Sequence, residues 1–274
     1  MKNTDKQKDF KNYLSLQKKI VDESLEKLMP SSETYPSILH ESMRYIIFAD
    51  GKRFRPILSL AVCEACGGDT EAVIKTAAAL EMIHTYSLIH DDLPSMDNDD
   101  YRRGQLSNHK KYGEDIAILS GDALLSLAFE VMDPRMAPLI AKAIGSQGVV
   151  GGQVVDIQLA KGKLDLSESL LTYIHNNKTA KLIQISCLVG AYLSDAPQNI
   201  IDNISSYGHS IGFAFQVIDD CFDQDNYAKI FDKETLIKLA NNHVSKAKEA
   251  LNVFEKGKRD TLDSLADFVI SRTK

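Results

Sequence analysis

Apolar residues recur every three or four positions along almost the whole chain, which is the repeat of helices that bury one face. Ile38, Leu39, Met43, Ile46 and Ile47 form one such stripe, closed by Asp50-Gly51. A second helix is expected to open at Pro56, a good first-turn residue, and to stop at Cys66 before Gly67-Gly68. Ala72 to Ile89, Ile116 to Met132, Leu170 to Leu193, Ile201 to Phe222, Leu236 to Phe254 and Leu262 to Ile270 read as further helices. The polar start Asp165-Leu166-Ser167-Glu168 supplies a capping signal for the one beginning near Leu170. Convincing period-two strands are absent, and so is a glycine-rich phosphate loop after a strand. With no repeat, low-complexity tract or linker to divide residues 1–274, the expectation is one all-α domain.

Two of these helices run directly into aspartate clusters. The first is His90-Asp91-Asp92-Leu93-Pro94-Ser95-Met96-Asp97-Asn98-Asp99-Asp100, and the second is Gln216-Val217-Ile218-Asp219-Asp220-Cys221-Phe222-Asp223. Carboxylates so close together repel one another and cost free energy to desolvate, so they need cations between them. An oxygen-only donor set suits a hard ion such as Mg2+, which usually bridges one or two carboxylates to the phosphates of a substrate. Asp219 and Asp223, four apart, share one helix face. Pro94 is expected to end or bulge the first helix, which would still allow Asp91 and Asp97 to converge on one ion. A solvated acidic loop is the plainer account of Asp99 and Asp100 alone.

Composition narrows the classes. In 274 residues, 44% are hydrophobic and 26% charged, as in globular proteins with a substantial core. A net charge of −6 argues against a nucleic-acid partner. The polar start and the lack of a long apolar run predict a cytoplasmic chain with no membrane span. Cys63 and Cys66 have C-x-x-C spacing, but nothing completes a zinc site, so all 4 cysteines are expected as reduced core residues.

Positive charge comes in short islands: Gly51-Lys52-Arg53-Phe54-Arg55-Pro56, Tyr101-Arg102-Arg103-Gly104, and His175-Asn176-Asn177-Lys178-Thr179-Ala180-Lys181. Each alone is ordinary surface; beside two acid clusters they suit diphosphate, gripped by arginine forks and lysine point charges. GKRFRP, EMIHTYSLIHDDLPSMDNDDYRRG, GGQVVDI, NKTAKL and GFAFQVIDDCFD, in that order, resemble the trans-isoprenyl diphosphate synthases, and more closely the bacterial short-chain branch containing farnesyl diphosphate synthase. The likeness runs from about Lys52 to Asp223.

The resemblance implies an isoprenoid synthase-type helical bundle around a deep central cavity, and a homodimer. It implies that Asp91, Asp92 and Asp97 hold Mg2+ against the diphosphate of an allylic substrate, with Asp219, Asp220 and Asp223 doing so from a facing helix. Arg102 is then also at the allylic diphosphate, and Asp156 adds a further magnesium contact. Lys52, Arg55, His84 and Arg103 match positions that bind isopentenyl diphosphate. Lys178, Thr179 and Gln216 match positions near the allylic diphosphate and the reacting carbons. His90 matches no ligand position and is expected to pack or bond locally.

Tyr86, five residues before Asp91 and beside Ser87, is placed to limit product length. By residue type alone it is an ordinary buried tyrosine; by resemblance it fits a C15 product, farnesyl diphosphate, with geranylgeranyl diphosphate as the alternative. Two connections are shorter than the family pattern, at Met132-Asp133-Pro134-Arg135 and after Asp223, where a lysine-bearing loop is expected. Either the connections are short, or residues are missing from the sequence there; surface loops favour the second. A missing loop would leave open a non-catalytic partner subunit of a prenyl synthase. A terpene cyclase is disfavoured, having no second diphosphate for Lys52, Arg55 and Arg103.

Overall fold

The computed structural model describes residues 2–271, with side chains described from residue 7 onward, and it is almost wholly helical. The helices are α1 (Lys2–Leu28), α2 (Ser37–Ile47), α3 (Phe54–Cys66), α4 (Thr70–Asp91), α5 (Asn108–Tyr112), α6 (Glu114–Val131) and α7 (Ala137–Ile144). They continue with α8 (Val149–Ala160), α9 (Glu168–Ile174), α10 (Lys181–Leu193), α11 (Gln198–Asp223), α12 (Lys233–Ala250) and α13 (Lys256–Ser271). None is long and apolar enough to cross a membrane.

Internal contacts divide the chain into two compact units, one holding the chain up to Ile57 with Ile74–Ala137, the other Leu58–Val73 with the chain from Pro138 onward. In the first unit the core is Val21 and Leu25 of α1, Met43, Ile46 and Ile47 of α2, Met82, Ile83 and Ile89 of α4, and Leu124 and Ala128 of α6. Helix α4 is buried on every face from Thr76 to Ile83, which marks a central helix. A polar stitch runs through this core: Ser120 Oγ donates to Ser42 Oγ at 2.8 Å, and Asn108 Nδ2 donates to the same oxygen at 2.8 Å. The α4 helix stops before Leu93-Pro94, as the proline requires.

Beyond that stop lies a two-stranded hairpin that period-two reading did not anticipate. Tyr101–Arg102 pairs antiparallel with Gln105–Leu106, joined by Arg103 (φ 52°) and Gly104 (φ 77°). Left-handed backbone at both central residues is the two-residue turn whose twist suits a hairpin. Strands two residues long carry too few side chains to show an alternation.

The second unit is built around α11, packed against α10, α12 and α13, with Ile204, Ile211, Val217, Ile183, Cys187, Leu236, Val244, Leu262 and Val269 at 0–4% exposure. The expected continuous helix from Leu170 to Leu193 is interrupted. Residues His175–Ala180 form a π-helical turn between α9 and α10, an insertion that commonly marks functional sites. Gly152 of α8 makes room for it: a Cβ there would sit 2.9 Å from Lys178 Cα and 3.0 Å from Asn177 C. The remaining expected helices are present, with α3 opening at Phe54, two residues before Pro56, and with α1, α5, α7 and α8 added. Cys63, Cys187 and Cys221 are buried, and burial pushes the Cys66 thiol up to about 11.

Both short connections close with local hydrogen bonds. At the first, the Asp133 N–H donates to Thr76 Oγ1 at 2.9 Å, and Arg135 pairs with Asp133 at 2.9 Å. At the second, Gln224 (φ 56°) ends α11, a 3-10 turn covers Asn226–Lys229, and Asp232 caps α12 by accepting the Thr235 N–H at 2.7 Å.

Within this unit His243 stacks on Phe213 with ring centroids 4.4 Å apart. Burial, then the charge of Lys246, lowers its pKa from 6.5 to about 4. The folded state therefore holds His243 neutral while the unfolded chain binds a proton between these values. Stability is full above about pH 6.5 and is lost as pH falls towards about 4. Thermal melts at stepped pH are expected to drop across that window, and His243→Gln should flatten the drop.

Candidate active site

The first aspartate cluster grows out of the last turn of α4. Asp91 is its final residue, and the Asp97 N–H returns to the Asp91 carbonyl at 2.9 Å, while the Asn98 N–H reaches Leu93 O at 3.1 Å. The loop is thus folded back on the helix end, with Asn98 in left-handed backbone (φ 56°). Asp91 is half-buried and Asp97 exposed, whereas Asp92 is 1% exposed. Arg102 donates from Nε to Asp92 Oδ1 at 2.9 Å and from Nη2 to Asp99 Oδ2 at 2.9 Å, with a second, short Nη2 contact to Asp92. Burial nevertheless raises the Asp92 pKa, outweighing the lowering by Arg102. Its Oδ2 is buried without a hydrogen-bond partner.

Positive charge is gathered in the same unit. Lys52 is exposed, Arg55 and His84 are half-buried, and Arg103 follows Arg102 in the hairpin turn. Burial first, then the charges of Arg55, Arg103, Arg102 and Arg53, hold His84 well below the ordinary imidazole pKa, so it is neutral at pH 7. Arg53, which the sequence assigned no role, is 3% exposed and bound by protein on every nitrogen. Tyr86 is 8% exposed, edge-on to His90 at 5.8 Å between ring centroids, and burial raises its pKa. Ser87 turns its hydroxyl back to the His84 carbonyl at 2.9 Å. His90 bonds Ile118 O at 3.1 Å and packs against Gly121, the local role expected for it.

The second cluster ends α11 in the same manner. Asp219 is half-buried and Asp223 exposed, and Asp220 is 2% exposed. Asp220 has both oxygens engaged: Oδ1 accepts from Gln216 Nε2 at 2.9 Å, and Oδ2 accepts from the Tyr227 N–H at 3.1 Å. His175 Nε2 lies 3.0 Å from Oδ2, an ion-pair separation, although neither ring nitrogen has a well-directed hydrogen bond. Gln216 Oε1 in turn accepts from Thr179 Oγ1 at 2.6 Å, and Lys178 Nζ pairs with Asp156 Oδ2 at 2.6 Å. Thr179, Gln216 and Asp220 are therefore one hydrogen-bonded chain in this unit, and Lys178 with Asp156 is a pair beside it in sequence. His175 and Tyr227 belong with it and went unassigned in the sequence. Their signal was a buried-type histidine at the start of the NKTAKL island and the first aromatic after the cluster.

Carboxylates crowd the C-terminal ends of both helices, where the backbone dipole is negative and disfavours anions. Their placement opposes helix stability, which suits a bound cation. Among the described residues, no three His, Cys, Asp or Glu side chains close on one point as a finished metal cage. The ion to test against these donors is Mg2+, whose shell is usually completed by water and substrate phosphate rather than protein alone. The donor chemistry fits: all-oxygen carboxylates, with Asp92 Oδ2 left unsatisfied in the first cluster. Asp91 and Asp219 are half-buried and Asp97 and Asp223 exposed, whereas buried Asp220 accepts one hydrogen bond on each oxygen. Two cavities, of about 460 Å3 beside Lys18 and Arg53 and about 300 Å3 beside Cys66 and Phe254, are lined by no residue of either cluster.

The sequence pattern of the polyprenyl synthetase family matches residues 36–262, a span that contains both clusters and every cation island. The chain belongs to that family. A geranylgeranyl diphosphate synthase of Cyanophora paradoxa is 41% identical over 290 residues, covering 95% of each chain. A dimethylallyltranstransferase of Fischerella ambigua is 41% identical over 293 residues, covering 96% of this chain and 83% of its own. Among solved structures, an FPP/GFPP synthase from Zymomonas mobilis superposes with a TM-score of 0.88 at 33% identity, covering 96% of this chain and all of its own. The fold is thus the isoprenoid synthase type, and the chain is a short-chain prenyltransferase.

Proposed function

We propose that the chain condenses isopentenyl diphosphate with allylic diphosphates in a Mg2+-dependent reaction, with geranylgeranyl diphosphate as the end product. The observation that carries the chemistry is the first cluster's geometry. Asp97 is tied back to Asp91 at a helix end, with Arg102 forked to Asp92 immediately behind. The product length is supported by the geranylgeranyl diphosphate synthase that matches 95% of this chain.

The roles follow from the residues. By family likeness Asp91, Asp92 and Asp97, and likewise Asp219, Asp220 and Asp223, would hold Mg2+ against the allylic diphosphate, and Asp156 would add a further contact. Bound Mg2+ supplies positive charge that favours departure of the diphosphate. Arg102 and Lys178 add fixed charge where the leaving oxygens become more negative. The C–O bond of the allylic substrate breaks, and the double bond of isopentenyl diphosphate supplies the electron pair for the new C–C bond. One proton then leaves, and the departed diphosphate can accept it. Lys52, Arg55, neutral His84 and Arg103 would grip the isopentenyl diphosphate, which needs no metal. Thr179 and Gln216, joined at 2.6 Å, orient dipoles beside the reacting carbons.

Farnesyl diphosphate is the second reading, because by family likeness an aromatic at Tyr86, 8% exposed here, fits a C15 product. Supplying farnesyl diphosphate as the starter separates the two: a C20 product supports the first, and products from dimethylallyl and geranyl diphosphate alone, stopping at C15, support the second. Under either reading Tyr86→Ala should lengthen the main product by at least one five-carbon unit, seen by chromatography of the dephosphorylated alcohols. Unchanged length would remove Tyr86 from the mechanism. A homodimer is proposed from the family likeness.

A further inference from the structure

Glu81 lies one turn before His84 in the fully buried stretch of α4 and is 1% exposed. A carboxylate in that setting is costly unless it is paired, and it is paired twice through the same oxygen. Arg53 Nη1 donates to Glu81 Oε1 at 3.0 Å, and Arg103 Nη2 donates to it at 3.2 Å. Arg53 is immobilised further by Asp22 Oδ1 at 2.7 Å from Nε and by the Ile47 carbonyl at 2.7 Å from Nη2. Each of its three nitrogens donates to protein and the residue is 3% exposed, so it is held inside the fold as a brace. Arg103 uses Nη1 on the Ile46 carbonyl at 3.2 Å.

The backbone is arranged to permit this. Arg53 (φ 51°) and Arg103 (φ 52°) both occupy left-handed backbone, which non-glycine residues adopt only where the surroundings enforce it. Gly51 leaves space for both guanidiniums: a Cβ there would lie 2.8 Å from Arg53 Nη1 and 3.1 Å from Arg103 Cζ. The two arginines would repel each other across this gap without the carboxylate between them.

We propose that Glu81 is the positioning residue that aims Arg103 at the diphosphate of isopentenyl diphosphate, with Arg53 as its fixed brace. This rests on Arg103 binding that diphosphate. Arg53 then acts in the architecture of the site and does not touch substrate, although it stands between Lys52 and Arg55.

Steady-state kinetics of Glu81→Gln is the test. The KM for isopentenyl diphosphate is expected to rise about tenfold, with kcat and the allylic KM within about twofold of wild type. Arg103→Gln should raise the same KM, and the Glu81→Gln/Arg103→Gln double variant should be no worse than Arg103→Gln alone, because one residue acts through the other. Glu81→Asp keeps the charge and the fold, and should restore most of the KM, which covers the case of Glu81→Gln failing to fold. A wild-type KM in both Glu81 variants, additive effects in the double variant, or equal losses for both substrates would overturn the proposal. Calorimetry of isopentenyl diphosphate with the wild-type protein, without metal, separates the two levels. No binding heat would overturn the functional reading itself, while normal heat in the wild type and in both Glu81 variants would overturn only the role of Glu81.

Discussion

Asp91→Asn and Asp219→Asn are each expected to lower kcat by about 10²–10³-fold, the loss typical when one group that stabilises developing charge is removed. Neither change should cost more than about 1 kcal/mol of stability. Both residues are half-buried at the C-terminal ends of α4 and α11, where a negative charge is opposed by the helix dipole. Losing that charge relieves the helix and deprives the cation of a donor. A turnover assay at saturating substrate alongside a urea titration checks the pairing of outcomes. Equal losses of rate and stability would show that these carboxylates hold the fold.

Asp220→Ala should behave in the opposite way, with stability falling by about 3 kcal/mol before any question of rate arises. The carboxylate is 2% exposed and carries Gln216 on one oxygen and the Tyr227 N–H on the other, with His175 at 3.0 Å. Removing it strands buried donors. It also releases the anchor of the short connection that follows α11, since the Tyr227 ring is 1% exposed against His175, 4.6 Å away, and bonds Thr172 at 2.6 Å. Urea unfolding of Asp220→Ala beside Asp223→Ala makes the contrast, because Asp223 is exposed and its loss should change stability by no more than about 0.5 kcal/mol. Similar midpoints for the two variants would contradict the buried role of Asp220.

The aspartate clusters were legible because carboxylates interrupt otherwise apolar helical runs, and the proline after Asp92 gave the place where α4 ends. Their division of labour was not. Asp91 and Asp92 are neighbours in sequence, but Arg102 donates twice to Asp92, through a hairpin turn whose two-residue strands show no periodicity. Asp220 is set apart from Asp219 by His175 and Tyr227, and His175 lies far away in the chain. The π-helical turn was invisible for a related reason: HNNKTA has ordinary helical composition, and the register shift depends on α8 presenting Gly152 to Lys178. Arg53 stayed unassigned between Lys52 and Arg55 because sequence spacing cannot show that Asp22, Ile47 and Glu81 hold each of its nitrogens. Helix α1 escaped notice since its buried residues Val21 and Leu25 are sparse among charged ones. Product length stands apart, because the resemblance at Tyr86 led to an expectation of C15, whereas the relative matching 95% of the chain bears a geranylgeranyl name.

The most direct measurement of the central claim is incorporation of labelled isopentenyl diphosphate into an allylic product by the purified chain, with dimethylallyl or geranyl diphosphate as starter, in Mg2+ and in excess chelator. The account predicts acid-labile prenyl diphosphate of C15 or C20 length in Mg2+ and none in chelator. No condensation with any starter in Mg2+ would contradict it.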